Sequence, residues 1–109
     1  MTDLQDLTED ELLAQLDVLL FGSDEYISGR ELRVAIERSR NWLSVWLAEN
    51  RDKICREIGN QGLNDPGAQE GFIEVATVAE IIMHTGLDPY CSPLVAAILL
   101  KRGIQLLCQ

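Results

Sequence analysis

Four side chains of the chain are of types that support nucleophilic or soft-metal chemistry: Cys55, Cys91, Cys108 and the single histidine, His84. Cys91 follows His84 closely, across Gly86 and Pro89, so an imidazole-activated thiolate is the reaction to consider. Nothing in the sequence around the two supplies an orienting acid or an oxyanion hole. A small cysteine buried in a helical core is the expectation. A tetrahedral zinc site would need His84 and all three cysteines from separate elements, with no Cys-x-x-Cys or His-x-x-x-His spacing to bring them together. No metal or cofactor is therefore expected. Three cysteines are too few for a disulfide framework, which predicts reduced thiols and a cytoplasmic setting.

Oxygen donors are more plentiful. Tyr26-Ile27-Ser28-Gly29-Arg30-Glu31-Leu32 resembles the second half of an EF-hand loop. In that register Tyr26 offers a carbonyl and Glu31 the bidentate carboxylate. The first half departs from the pattern: the leading ligand positions fall on Leu20 and Gly22, and the turn glycine falls on Glu25. A cation needing six or more oxygens is not served, and a helix cap at Ser28 explains the same residues. Glu9, Asp10 and Glu11 sit where a first helical turn favours acids. Gly59-Asn60-Gln61-Gly62 lacks the Lys-Ser/Thr of a phosphate loop. The reading is of a non-enzymatic chain.

Recognition is better represented than catalysis. Trp42 and Trp46 are one helical turn apart and share a flank. Val45 points almost opposite the apolar stripe of its helix, and Arg38 and Arg56 lie near that back face. Tryptophan and arginine dominate interface hot spots. Trp42, Val45, Trp46 and Arg38 are the candidate interaction residues.

The formal charge of -9, from 18 acidic and 9 basic residues, repels phosphate backbones and anionic lipid heads. Direct nucleic-acid and membrane binding are disfavoured. An acidic surface can instead occupy a cationic groove on another protein. No apolar run reaches the roughly 18 residues of a membrane span. The start Met1-Thr2-Asp3 has no basic or apolar region of a signal peptide.

The elements that would position these residues are helical throughout. Thr8-Glu9-Asp10-Glu11 is a capping box, predicting a helix from about Glu9 to Phe21 that stops at Gly22. A flexible N-terminus is expected over 1–7. Ser28-Gly29-Arg30-Glu31 is a second box, opening a helix that reaches Ile58, with a kink or break allowed at Ser39-Arg40-Asn41. Its core stripe is Leu32, Ile36, Leu43, Leu47, Ile54 and Ile58. Asp65-Pro66 opens a third helix over about Gly67 to His84. Its broad apolar face holds Phe72, Val75, Ala76, Ala79, Ile82 and Met83, with Ile73, Val78 and Ile81 outside that face. Ser92 is expected to cap a last helix from Pro93 to about Cys108, apolar on every side from Leu94 to Leu100.

The expected fold is all-α: a single domain over 1–109, a compact bundle of four to five helices with the apolar C-terminal helix at its centre. Small helical adaptor modules are similar at the level of architecture alone. Two strongly apolar helices exceed what a thin bundle covers, so some of this surface should lie in an interface. The expected role is a regulatory or adaptor module binding itself or a protein partner. The alternatives are an acidic inhibitor of a cationic groove and, less favoured, a cysteine enzyme using Cys91 and His84.

Overall fold

In a computed structural model the described residues are 4–22, 29–62 and 75–108. A 3-10 turn, Leu4–Asp6, leads into α1 (Glu9–Phe21), α2 (Gly29–Asn60), α3 (Val75–Met83), α4 (Ser92–Arg102) and the single turn α5 (Ile104–Leu107). Among the described residues there is no strand, and no helix is long and apolar enough to cross a membrane. The expected all-α bundle with the apolar helix in its middle is what forms.

Helix α1 begins where its capping box sits. The Thr8 amide donates to Glu11 Oε1 at 3.0 Å, and the Glu11 amide donates to Thr8 Oγ1 at 3.1 Å. Two orphan donors of the first turn are thereby satisfied. The helix ends at Gly22, whose φ of 65° closes the last turn in the left-handed region.

Helix α4 is the centre. Every residue from Leu94 to Leu99 is buried, as six consecutive apolar residues must be when they cover all sides of a helix. Helices α1 and α3 pack against it, and α1 also packs against α2. The stripe of α2 enters the same core through Leu43, Ile54 and Ile58. Leu4 and Leu7 pack on that core from the N-terminal side. Glu9 and Arg102 close the α1–α4 seam at the rim, Arg102 Nε donating to Oε1 at 2.6 Å.

Several expectations change. Helix α2 runs unbroken through Ser39. Its hydroxyl is buried and donates to the Leu13 carbonyl of α1 at 2.7 Å, so it joins two helices instead of competing with its own backbone. Helix α3 buries Val78 and Ile81 as well as Ala79 and Ile82, leaving Met83 exposed. Val78 and Ile81, expected outside the face, are inside it, because α3 and α4 cover one another; Ile73 lies outside the described residues. Among the described residues, the apolar surface of α3 and of the C-terminal helices is largely buried within the chain, with Met83 of α3 and Leu106 of α5 left exposed. The Asp65-Pro66 start and the Gly67 beginning of α3 lie outside the described residues.

The C-terminal helix also differs from its expected span. Cys91, not Ser92, is the N-cap, while Ser92 Oγ donates back to the Asp88 carbonyl at 2.8 Å. The helix breaks at Gly103, whose φ is 101°, a conformation open to glycine and costly for other residues. The chain turns there and α5 lies back towards α2. Cys108 is disulfide-bonded to Cys55 of α2, with Cα atoms 5.4 Å apart. The expectation that all three cysteines stay reduced is corrected: only Cys91 is a free thiol. The pairing is long-range, across 53 residues, and no local spacing announces it.

Candidate interaction face

Among the described residues, helix α2 is covered on one side only. Turned at about 100° per residue, Val34, Asn41, Val45 and Asp52 fall on a line opposite Leu43 and Ile54. Val34 is 55% exposed and Val45 is 61% exposed. Both are β-branched apolar side chains with no partner among the buried core residues. Phe21, 46% exposed at the end of α1, extends the apolar surface sideways. Arg33, Val34, Glu37, Arg38 and Asn41 line an open depression on this side.

Of the four candidate residues, Val45 stands fully on the face. Trp42 and Trp46 are half-buried and pack against the core from its edge. Their rings stack at 15° with centroids 6.0 Å apart, an offset arrangement that rigidifies the flank of α2. They are the wall of the face and not its summit. Asn50 Nδ2 donates to the Trp46 carbonyl at 2.9 Å.

Arg38 has a different occupation from the one its type suggested. Its Nε and Nη2 donate to the two carboxylate oxygens of Asp17 at 2.7 and 2.8 Å. Asp17 is wholly buried in α1, while the Arg38 side chain is 43% exposed. The guanidinium carbon also lies 4.9 Å from the centroid of the Phe21 ring. A bidentate fork of this kind fixes the angle between α1 and α2. Arg38 therefore spends the Nε–Nη2 edge of its guanidinium on the fold. Asp17, Val34 and Phe21 were missed in the sequence. Val34 lies on the same line as Val45 at helical spacing, which was the signal available.

The charge is unevenly placed. Arg30, Arg33, Arg38, Arg40, Arg51, Lys53 and Arg56 all lie on α2, out of nine basic residues in the chain. Most of the 18 carboxylates lie elsewhere. Arg40 pairs with Asp10 at 3.1 Å and with Glu37. The candidate face is thus apolar with basic edges on an otherwise acidic molecule.

The remaining chemical candidates are not assembled. Cys91 is buried, and that burial, with Asp88 nearby adding to it, pushes its thiol pKa upward. A thiol held protonated is a poor nucleophile. His84 is exposed on the turn after α3, beside a cleft lined by Lys53, Arg56, Glu57, Ile81 and Thr85, and no hydrogen bond joins it to Cys91 among the described residues. No group of three or more His, Cys, Asp or Glu side chains that could hold a metal ion occurs among the described residues. Residues 26–28 of the EF-hand-like stretch lie outside them, and its remaining residues open α2. The Glu11 carboxyl is held below its ordinary pKa by the Thr8 backbone and side-chain hydrogen bonds of the cap.

Compared with protein-family models, curated proteins and solved structures, the chain matches none of them.

Proposed function

We propose that this chain is a small, non-enzymatic helical module that binds itself or a protein partner through the outer face of α2. The observation that carries the reading is the exposed Val34–Val45 line, set opposite the core and flanked by Phe21 and the Trp42–Trp46 stack. Rigid aromatic walls around small apolar side chains suit a central contact with a polar rim. Arg30 and Arg33 are exposed and supply such a rim. The module would work in the cytoplasm, or in a more oxidising compartment with the Cys55–Cys108 bond closed.

The test uses Val34→Asp with Val45→Asp, because both side chains lie outside the core and Trp42 does not. Native mass measurement and affinity capture from the source cell are compared for the wild type and the double variant. Expected is loss of self-association or of a captured partner, with thermal unfolding by circular dichroism unchanged. Association that survives both charges overturns the proposal.

A second reading is favoured by the charge segregation. Away from α2, Asp6, Asp10, Glu11, Glu80 and Asp88 are exposed among the described residues, an acidic surface suited to a cationic groove on an enzyme or nucleic-acid-binding protein. That mode of binding weakens steeply with salt. Salt-insensitive association counts against it and leaves the apolar face as the contact.

A further inference from the structure

We propose that the Cys55–Cys108 disulfide is a reversible clasp, opened by a dithiol reductant, whose opening releases the C-terminal turn from α2. Both cysteines are half-buried, so a small or protein dithiol can reach the bond, in contrast to Cys91 at 4% exposure. The bond also sits where little else holds. Gly103 ends α4, and the four residues of α5 are too few to stand as a helix without tertiary support. Ile104 is buried and anchors the inner end of that turn. Beyond it, Leu106 is 67% exposed, and Arg51 Nε donates to the Leu107 carbonyl at 2.6 Å. With the disulfide open, the contacts of Arg51, among them its hydrogen bond to Leu107, and the edge packing of Leu107 and Cys108 are what the described residues keep at the outer end.

The exchange balances without any further reactant. One thiolate of the dithiol attacks a sulfur of the bond, and the other cysteine leaves as a thiolate. The second thiol of the reductant then attacks the mixed disulfide. The reductant ends as its own disulfide, and two electrons and two protons end on Cys55 and Cys108. Cys91 does not compete, because it is buried and its thiol stays protonated. The outcome is a redox-dependent release of an apolar turn carrying Leu106 and Leu107, independent of whether the α2 face binds a partner.

The test uses the full chain purified without reductant. Alkylation after denaturation should find one thiol, Cys91. Treating the folded protein with dithiothreitol, removing it, and then denaturing before alkylation should find all three cysteines reactive, while the helical circular dichroism of the treated protein persists before denaturation. Trypsin then reports release directly, because Arg102 immediately precedes Gly103. Cleavage there should become roughly tenfold faster or more on reduction, through local opening of the turn. Cys108→Ser and Cys55→Ser should show the fast rate without reductant. If the serine variants fail to fold, the dithiothreitol arm on the wild type decides alone. Three reactive thiols in the untreated protein, an unchanged cleavage rate, or cooperative unfolding of the whole chain on reduction each overturn the proposal.

Discussion

Replacing Arg38 with alanine should destabilise the fold by about 2–3 kcal/mol, although the residue is partly exposed. Two limits bracket the value. Removing one partner of a fully buried ion pair costs about 3–5 kcal/mol, because the other charge is left behind. Losing a pair in solvent costs about 0–1 kcal/mol. Here Asp17 is wholly buried and the Arg38 side chain is 43% exposed. Water can enter the space the guanidinium vacates and solvate one side of the carboxylate, which lowers the cost from the buried limit. The lost contact with the Phe21 ring contributes roughly 0.5–1 kcal/mol of the total. For a domain near this size the loss corresponds to a fall in Tm on the order of 10 °C. Urea unfolding followed by circular dichroism should show a lower midpoint at unchanged slope. Arg40→Ala is the comparator, because its partners Asp10 and Glu37 are both exposed, and it should cost no more than about 1 kcal/mol. An Arg38→Ala cost equal to that of Arg40→Ala would refute the structural role. Lost association at full stability would return Arg38 to the interface.

Two further outcomes follow from the helix joints. Ser39→Ala should cost about 1–2 kcal/mol in the same urea assay, because it removes a buried bond joining α2 to α1; a neutral result would show that the Leu13 carbonyl needs only its own helix. The Glu11 carboxyl is held below its ordinary pKa by the Thr8 hydrogen bonds, so its contribution is complete above the unfolded glutamate value and fades as pH falls through the lower folded one. Glu11→Gln should therefore flatten the loss of stability between roughly pH 5 and pH 3, and an unchanged acid limb of the urea midpoint would exclude the cap as its source.

What the sequence made readable was local. The Thr8–Glu11 box is complete within four residues, so α1 starts where it was expected. The six apolar residues from Leu94 to Leu99 have only one stable location in a soluble bundle, and that location is the centre. Ser39 was misjudged and Asp17 missed for one reason. Each sits at stripe spacing, Ser39 between Ile36 and Leu43 and Asp17 one turn after Leu13, but a polar residue in a stripe reads as an interruption. Its partner, which turns interruption into joint, lies 26 residues away for Ser39 and 21 for Asp17. The same distance problem hid Cys55–Cys108. At the candidate face, helical geometry alone placed Val45 correctly. The half-burial of the tryptophans depended on how α2 leans on its neighbours, which periodicity does not encode.

The position of α4 bears on how the chain is made. A ribosome delivers α1, α2 and α3 before the helix around which they pack, and Glu9 meets its partner Arg102 only 93 positions further along the chain. Until Leu94 to Leu99 emerge, the apolar sides of α1 and α3 have no common surface to close on. The nascent chain must carry them open, exposed to chaperones and to neighbouring chains. The α1–α2 contact can form earlier, and α4 then completes the core shared by α1 and α3.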